Sequence, residues 1–295
     1  MRLRRIDNMN TQINTKQNSM ARLKEFIISI LLYLQIFIMC AIVLIPIIWI
    51  VGSSFNQSAG LTSASMIPQN PTLRHYIHLL TETSYLRWAW NSLQIAIFHT
   101  ILSVFLSASV GFIFARFVFK GKKVALITIL VLQMFPSFMA MTALYVLFLT
   151  FGLLDTHLAL LLVYSAGQIP FNTWLIKGFL DSVPKELDES AMLDGASKVQ
   201  IFTKIIFPLS KPILAFVAVS AFMTPWMDFI FPRLILRSND NLTLAVGLFN
   251  MIEGNQNEYT VFAAGAVLIA IPITILFVVF QKFMIEGITA GANKG

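Results

Sequence analysis

The run FIISILLYLQIFIMCAIVLIPIIWIV, residues 26–51, decides the fold class of this chain. It contains none of the four charged residue types, Asp, Glu, Lys or Arg. Roughly 20 apolar residues in a helix span a hydrocarbon core of about 30 Å, so this run is long enough to cross a membrane. It is too long for the apolar core of a signal peptide and no small-residue cleavage site follows it, so we expect a helix of the mature protein.

Five further apolar stretches follow along the chain. Four of them also lack charged residues: Ser92 to Ala115, Val124 to Phe151, Leu158 to Ile176 and Thr260 to Gln281. The remaining one, Ile213 to Leu236, is apolar until Asp228 and Arg233. Backbone groups in lipid must be hydrogen-bonded within their own segment, and no alternating β-barrel pattern competes, so we expect helices. The sequence predicts an all-α, polytopic membrane protein with six transmembrane helices in residues 26–284.

The composition of the whole chain agrees with a membrane location. Hydrophobic residues make up 57% of the 295 residues and charged residues 12%, with a mean hydropathy of +0.76. Soluble domains carry about a quarter charged residues, so the composition argues against a water-soluble enzyme. The net charge of +7 is typical of basic cytoplasmic loops, so we expect no nucleic-acid partner. Cys40 is the single cysteine, and no intrachain disulfide can form.

The Lys and Arg residues orient the six spans. Cytoplasmic segments of membrane proteins carry an excess of these residues. Of the 21 in this chain, 17 lie in the N-terminal tail, the loops after spans two and four, and the C-terminal tail. The distribution predicts that both termini are cytoplasmic. Residues 1–25 are polar and rich in Asn and Gln, and we predict a disordered cytoplasmic tail there. Residues 285–295 form the second cytoplasmic tail.

Every predicted span except the second contains proline. These residues are Pro46, Pro136, Pro170, Pro225 with Pro232, and Pro272. Proline removes a backbone donor and tends to kink its helix, which can open a cavity or supply a bend. The alternative is that these prolines are ordinary features of membrane helices.

The cytoplasmic loop 181–212 has a composition of its own. Five of the 14 acidic residues lie between Asp181 and Asp194. Pro184 followed by acidic residues is typical of a helix start, where a fixed φ and the positive end of the helix dipole both favour this order. Gly195 is typical of the left-handed turn that closes a helix. The sequence predicts a helix that ends in a glycine turn.

A second helix is predicted to begin near Ser197. Its apolar stripe would consist of Val199, Phe202 and Ile206, which recur at helical spacing. We expect Pro208 and Pro212 to end this helix before span five. A surface-lying amphipathic connector would explain the same pattern without any functional role.

The residues of this loop resemble a known motif. The run ESAMLDGA, Glu189 to Ala196, followed by Ile205-Ile206-Phe207-Pro208 and by Pro212, resembles the EAA loop of ABC-importer permeases. The family motif reads approximately E-A-A-x-x-D-G-A and then an apolar-x-x-Pro segment. Ser190 replaces the second-position Ala and Phe207 replaces a more usual Leu, while the small and apolar characters are kept. The resemblance implies the type I ABC importer permease fold.

Other segments resemble the MalG-like, carbohydrate-importing branch of these binding-protein-dependent inner-membrane components. They are Asn91-Ser92-Leu93, Pro170-Phe171 with Trp174, Trp226-Met227-Asp228-Phe229, and the tail GITAGANKG from Gly287 to Gly295. Met227 stands where the branch usually has Asn. The resemblance implies a permease of the bacterial plasma (inner) membrane for a sugar or oligosaccharide, maltodextrin-like or another oligosaccharide or polysaccharide fragment.

The same resemblance implies the residues that couple the permease to ATP hydrolysis. In the coupling loop 181–212 they are Glu186, Glu189, Ala191, Asp194, Gly195, Ala196, Ile206 and Pro208. Glu189 would cap its helix or pair with a basic group of the ATPase. In the tail, Gly287, Gly291 and Lys294 would reach into the ATPase interface, and a frayed terminus is the alternative.

The implied partners are a homologous second permease subunit, two copies of an ABC ATPase, an extracytoplasmic sugar-binding protein and membrane lipid. The chain is not expected to be an enzyme, because it lacks the G-x-x-x-x-G-K-[ST] loop that cradles phosphates. ATP and Mg would be bound by the partner ATPase subunits, so we expect no cofactor in this chain. No H-E-x-x-H motif or cysteine cluster is present, so we predict neither a metal site nor catalytic residues.

Polar residues within spans are costly unless they face a cavity or another helix. The candidates for a substrate path are Gln133, Tyr145, Gln168, Asn172, Trp226 and Asp228. Trp226 would offer a ring face to a sugar. For each of the six, hydrogen bonding between helices is the alternative. We expect His99 to be a packing residue.

Two other functions fit parts of the sequence. An ABC permease for a non-sugar solute would have the same architecture and a different uptake profile. A self-sufficient secondary transporter would use Asp228 and His99 as proton carriers, work without ATP and need no docking loop. A membrane enzyme has no catalytic motif to support it.

Overall fold

The computed structural model describes residues 2–58, 65–253 and 258–292, with side chains between Lys24 and Phe283. Within these ranges the regular elements are helices and no strand occurs, which confirms the all-α class. The helices are α1 (Arg2–Ser54), α2 (Arg74–Thr81), α3 (Tyr85–Arg116), α4 (Lys122–Gln133), α5 (Ser137–Thr150), α6 (His157–Asp181), α7 (Glu186–Leu193), α8 (Lys198–Ile201), α9 (Phe207–Leu209), α10 (Lys211–Met227), α11 (Ile230–Ile235), α12 (Leu244–Ile252) and α13 (Tyr259–Ala292). A π-helical turn, Phe202–Ile206, joins α8 to α9, and a 3₁₀ turn, Asn239–Asn241, precedes α12.

Four continuous helices of the described residues are long and apolar enough to cross a membrane: Lys24–Ser54 of α1, α3, α6 and Tyr259–Phe283 of α13. Two bent pairs supply the other apolar segments. The α4–α5 pair is bent by 96°, and the segment Lys198–Leu209 meets α10 at 78°. Six spans result if each bent pair is counted as one.

The third predicted span is broken between α4 and α5, and the fifth, Ile213 to Leu236, is broken between α10 and α11. Helix α4 ends at Gln133 and α5 starts at Ser137, with Pro136 in an extended conformation between them. Proline lacks the N–H that would continue the ladder, and the residue before a proline avoids the helical region. Helix α10 ends at Met227, and the carboxylate Oδ1 of Asp228 accepts a bond from the Ile230 N–H at 3.0 Å. This local bond competes with helical continuation and starts α11.

The other prolines do not interrupt their helices. Pro46, Pro170, Pro225 and Pro272 lie inside α1, α6, α10 and α13, respectively. Neighbouring side chains and local adjustments accommodate such prolines in membrane helices. Of the prolines at which the sequence predicts a possible bend, Pro136 is thus the one that lies at a break between two helices.

The first helix differs from the sequence prediction at its start. Disorder is predicted for residues 1–25, whereas α1 is helical from Arg2 onward. The segment contains no Gly or Pro that would stop a helix, so it can continue the helix of the apolar run that follows it.

Helices α3, α6 and α10 form the centre of the bundle, and α13 packs beside α10. One apolar cluster fills one end around Trp88, Tyr164 and Trp226. A second cluster fills the other end around Phe112, Ile176 and Ile206. Helix α1 packs along α13, where the Trp49 and Tyr259 ring centroids lie 5.7 Å apart, and its apolar side chains otherwise remain exposed.

Close approach of two central helices depends on one glycine. A Cβ built at Gly111 of α3 would lie 2.8 Å from Cγ2 of Ile176 on α6. Small residues at such crossings let two helices approach closely and so strengthen the van der Waals contact between them. This contact matters in a membrane because lipid tails are as apolar as the helix surfaces, so there is no hydrophobic driving force for association.

Candidate functional site: the coupling loop and the polar contacts of the bundle

The predicted helix and glycine turn of the coupling loop are present. Helix α7 begins at Glu186, and three acidic residues lie in its first turn, where the positive end of the helix dipole stabilises them. Gly195 has φ +84° and its N–H donates to the Met192 carbonyl at 3.0 Å. An added Cβ at Gly195 would contact nothing within 4 Å. Glycine is therefore favoured there by backbone conformation alone and not by space.

The second helix begins where the sequence predicts, with a complete capping box. The Gln200 N–H donates to Ser197 Oγ at 3.3 Å, and the Ser197 N–H donates to Gln200 Oε1 at 2.7 Å. Two backbone donors that the helix leaves free are thereby satisfied.

The predicted apolar stripe of this helix is partly wrong. Ile206 is buried at 1% exposure as expected, but Val199 is 70% exposed, and Ile201 is buried in its place. The reason is the π-helical turn, in which the Phe207 N–H donates to the Phe202 carbonyl, five residues back. A π-turn inserts an extra residue per turn and shifts the buried face. Pro208, which has no N–H, follows immediately.

Helix α7 and the turn that follows it expose acidic and apolar side chains, while four lysines of the loop, Lys185, Lys198, Lys204 and Lys211, are exposed as well. Glu186, Glu189 and Asp194 are exposed, and Leu193 between them is 90% exposed. Ala191 and Ala196 are half-buried against the second apolar cluster. Pro208 is exposed, whereas Ile206 is buried within that cluster and anchors the loop to the bundle.

A buried ion pair that the sequence does not predict attaches this loop to the bundle. Nε of Arg116, the last residue of α3, lies 2.6 Å from Oδ2 of Asp188 in α7. The same guanidinium donates to the Leu180 and Val183 carbonyls at 3.0 and 3.1 Å. A basic residue ending an apolar helix and an acidic residue in a cluster are the only sequence signals, and neither indicates the pairing.

Two of the predicted substrate-path residues bond to neighbouring helices. Asn172 of α6 is 2% exposed and donates to Ser103 Oγ of α3 at 3.1 Å. Gln168 of α6 lies 3.1 Å from His99 Nε2 through its Oε1, and its Nε2 donates to Thr224 Oγ1 of α10. These contacts correspond to the alternative of hydrogen bonding between helices. His99 is fully buried, as expected of a packing residue.

Trp226 is buried rather than presented to a cavity. It is 4% exposed, its ring stacks on Phe222 with centroids 5.4 Å apart, and its indole N–H donates to the Ile269 carbonyl at 3.2 Å. The structure thus leaves no open face of this ring for a sugar.

The other three candidates lie at separate places. Asp228 Oδ2 accepts from the Tyr164 hydroxyl at 2.8 Å. Tyr145 is half-buried and its hydroxyl is bonded by the Arg237 guanidinium. Gln133 is exposed and donates to the Gly167 carbonyl at 3.4 Å. The structure does not bring the six predicted residues into one site.

A set of contacts that we call the outer clasp holds the segment 239–244 against α3. Asn91 Nδ2 donates to the Asp240 and Leu242 carbonyls at 2.8 and 2.9 Å. Ser92 Oγ accepts from the Leu244 N–H at 2.8 Å, and the Trp88 indole N–H donates to the Asn239 carbonyl at 3.1 Å. The Asn-Ser pair that opens span two therefore has a structural role that its position alone did not reveal.

The loop between α5 and α6 joins the outer clasp through Asp155. This residue has φ +59°, and its Oδ1 accepts from the N–H groups of Arg237 and Ser238 at 2.9 and 3.1 Å. Burial raises the pKa of the Asp155 carboxyl, but hydrogen bonds from Ser238, from the Arg237 backbone and from Asn241 outweigh it, so the pKa is lowered. The carboxylate is held in its charged form.

The C-terminal candidates are described only in part. Gly287 and Gly291 lie in the last turns of α13, while Lys294 lies outside the described residues. Among the side chains that the structure describes, no three of His, Cys, Asp or Glu come together in a group that could hold a metal ion.

Comparison with known proteins agrees with this architecture. Residues 107–289 match the family described as "Binding-protein-dependent transport system inner membrane component". The galactooligosaccharides transport system permease protein GanQ of Bacillus subtilis is 43% identical, over 93% of this chain and 98% of that protein. The maltodextrin transport system permease protein MdxG of Bacillus subtilis is 40% identical, over 89% and 95%. The maltose/maltodextrin permease protein MalG of Vibrio parahaemolyticus is 36% identical, over 86% and 92%.

The fold is also that of a solved transporter structure. It is a bacterial ABC transporter involved in the import of the acidic polysaccharide alginate, with a TM-score of 0.78 and 23% identity over 88% of this chain and 96% of that chain. The family match includes the whole coupling loop and runs from the last ten residues of α3 into the last turns of α13. The chain therefore belongs to the binding-protein-dependent transport system inner membrane components and is a multi-pass membrane permease of the ABC-importer type.

Proposed function

We propose that this chain is one of the two permease subunits of an ATP-driven, binding-protein-dependent importer for a sugar or oligosaccharide. The observation that carries the proposal is the coupling loop, where an acidic helix, a left-handed Gly195 and a capped second helix form one exposed element. Relatives named for galactooligosaccharide and maltodextrin transport, which align over most of the chain, support the sugar class.

The proposed assembly contains a homologous second permease, two ABC ATPase subunits and an extracytoplasmic sugar-binding protein. ATP and Mg are bound by the ATPase subunits, which carry out the hydrolysis. Both termini lie in the cytoplasm, according to the distribution of Lys and Arg. Closure of the ATPase pair moves the two coupling loops together and switches the permease from an inward-facing to an outward-facing cavity.

Four exposed residues of the coupling loop have a role in this proposal. Glu186, Glu189 and Asp194 pair with basic groups of the ATPase groove, which is the partner chemistry that an acidic surface selects. Leu193, which is 90% exposed, inserts into an apolar part of that groove. The glycines and lysine of the tail, Gly287, Gly291 and Lys294, contact the ATPase interface.

The substrate path is proposed along the candidates that keep exposed surface, Gln133, Tyr145 and Asp228. Gln168, Asn172 and Trp226, which are engaged by neighbouring helices, shape this path by fixing the helices around it. Specificity is then shared between these helices, the partner permease and the binding protein.

A series at Gly195 tests the coupling assignment. A left-handed conformation costs a residue with a Cβ about 1–2 kcal/mol, which lowers the population of the correct turn roughly 5–30-fold. We expect sugar uptake and sugar-stimulated ATPase to fall in the order Gly195→Asn, Gly195→Ala, Gly195→Val, because Asn tolerates this conformation best. Gly178→Ala is the matched control, since an added Cβ there also contacts nothing within 4 Å and its φ is helical. Wild-type rates in Gly195→Val would refute the assignment.

A pull-down of the tagged chain from its native membrane in mild detergent tests the assembly. Co-purification of an ATPase and a second permease is the expected result, and an uptake profile of that complex then separates sugars from other solutes. A chain that purifies alone and transports without ATP would contradict the proposal and support a secondary transporter.

A further inference from the structure

Arg116 occupies the junction of three helices. It is the last residue of α3, its side chain is 6% exposed, and its Nε lies 2.6 Å from Oδ2 of Asp188, whose side chain is 11% exposed. Its two terminal nitrogens donate to the carbonyls of Leu180, in the last turn of α6, and Val183, just after it. One guanidinium thus joins the end of α3, the end of α6 and the start of α7, and we call this set the Arg116 latch.

The charges of the latch suit the helix ends that they contact. The last carbonyls of α6 form the negative end of its dipole, which a cation stabilises. Asp188 lies in the first turn of α7, at the positive end, where a carboxylate is stabilised. The planar guanidinium can bond several acceptors at fixed angles at once, which a lysine ammonium cannot do in the same way.

The latch is the main buried attachment of α7. Asp188 is the one buried residue of this helix, while Leu187, Met192 and Leu193 expose 44%, 39% and 90% of their surface. A force applied to the exposed side of α7 is therefore transmitted to the bundle mainly through Asp188 and Arg116. Helix α3 transmits this force to the outer clasp, because its 32 residues form one uninterrupted helix that ends at Arg116 and is roughly 48 Å long.

We propose that Arg116 is a positioning residue that transmits movement of the coupling helix α7 to α3 and α6 during transport. The inference rests on the proposed function, since it assigns a role within the coupling of transport to a partner ATPase. It goes beyond it by naming the residue inside the permease through which the motion passes. Arg116 does not face the ATPase; it acts through Asp188.

Other charged groups surround the latch without replacing it. Lys185, Glu189 and Lys198 line the small pocket that also includes Arg116 and Asp188. Lys198 is engaged elsewhere, with its Nζ 2.7 Å from Met192 Sδ and 5.8 Å from the centre of the Phe117 ring. Within the described residues neither Arg116 Nε nor Asp188 Oδ1 has a hydrogen-bond partner, so the two side chains interact as an ion pair. Loss of the Arg116 charge therefore leaves this buried carboxylate without compensation.

The test uses the assembled importer, with its ATPase, partner permease and binding protein, in nanodiscs. The variants are Arg116→Lys, Arg116→Gln and Asp188→Asn, and activities are expressed per assembled complex. We expect Arg116→Gln and Asp188→Asn to keep the basal ATPase rate. The increase in ATPase rate that sugar-loaded binding protein causes should be at least tenfold smaller than in the wild type. Arg116→Lys keeps the positive charge beside Asp188 and should therefore retain part of the stimulation. The stimulation should remain below that of the wild type, because one ammonium cannot contact Asp188 and the carbonyls of Leu180 and Val183 in the same geometry.

Lys177→Gln is the matched control. Lys177 and Asp181 form an ion pair of the same length, 2.6 Å, but both belong to α6 and the Asp181 side chain is 48% exposed. This pair joins no two helices, so its loss should leave the stimulation unchanged.

The outcomes separate the inference from the proposed function. If the wild-type complex lacks an ATPase or shows no stimulation, the proposed function fails. If the wild type is stimulated and the Arg116 and Asp188 variants give lower yield and thermal stability but normal stimulation per complex, the latch only stabilises the fold and the inference is overturned. If none of the three variants assembles, the latch serves folding rather than transmission, and the inference is overturned as well.

Discussion

Asn91 holds the outer segment 239–244 in place, and its removal should destabilise the whole bundle end. The side chain is 4% exposed, and both of its N–H donors are used, toward the Asp240 and Leu242 carbonyls at 2.8 and 2.9 Å. Each such bond contributes about 0.5–1.5 kcal/mol. Asn91→Ala should therefore cost about 2 kcal/mol, because it removes two bonds and leaves the buried Leu242 carbonyl without that donor.

The expected shift can be measured as a thermal midpoint. In large soluble domains, a loss of 1 kcal/mol in the free energy of unfolding lowers the thermal midpoint by roughly 2–4 °C. On this scale Asn91→Ala should unfold about 4–8 °C below the wild type in the same detergent. Intrinsic tryptophan fluorescence is a suitable signal because Trp88 bonds the same segment. Asn91→Asp should be at least as unstable at neutral pH, since a carboxylate faces two carbonyls.

Asn70→Ala is the control for this prediction. Asn70 is exposed in the loop before α2, and exposed substitutions of this kind usually change stability by less than about 0.5 kcal/mol. A midpoint for Asn91→Ala that equals the midpoint of Asn70→Ala would refute the reasoning that the outer clasp depends on the amide of Asn91.

Three further substitutions have outcomes that follow from the structure. Gly247→Ala should lower the thermal midpoint, at a cost of about 1–3 kcal/mol or more, because an added Cβ would overlap the indole ring of Trp88. Burial raises the pKa of Asp155, but hydrogen bonds such as that from Ser238 outweigh it, and the pKa in the folded state is lowered. The stabilisation is therefore fully present above the unfolded pKa of about 3.9 and is lost as pH falls through the lower pKa of the folded state. Asp155→Asn should accordingly reduce the midpoint at neutral pH and flatten its decline in acid, and equal acid profiles would contradict this. Ser197→Ala should cost α8 about 1 kcal/mol, seen as faster amide exchange in that helix, and an unchanged exchange rate would argue against the cap.

The elements that the sequence predicted well are those determined by neighbouring residues. The apolar runs fix the helices, since lipid leaves the backbone no other way to satisfy its donors and acceptors. Gly195 and Ser197 fix a turn and a cap within a few positions. The break at Asp228 and the exposure of Val199 escaped the prediction, because a side-chain bond to the backbone and a π-turn changed helices that hydropathy alone describes as regular.

The contacts that escaped prediction altogether join residues far apart in the chain. Arg116 pairs with Asp188, and Asn91 with the segment 239–244. Arg116 and Asn91 are ordinary polar residues near the ends of an apolar helix, and Asp188 is one of several clustered acidic residues. The sequence context of each therefore carries no information about its partner. The same limit applies to the six substrate-path candidates, for which polarity predicts a partner but does not distinguish a neighbouring helix from a solute.

The arrangement of these contacts indicates where the bundle can bend. Helices α3 and α6 are joined along their length, by the Arg116 latch at one end, by the Asn172–Ser103 bond and the His99 contacts in the middle, and by the close approach at Gly111. Such a pair moves as one body, because bending either helix alone would break several buried bonds at once. The helices are instead interrupted after Gln133, at Ser210 and at Asp228. In the proposed function, a switch between inward-facing and outward-facing forms would therefore concentrate its dihedral changes at these three breaks, while the joined pair α3–α6 moves as a unit.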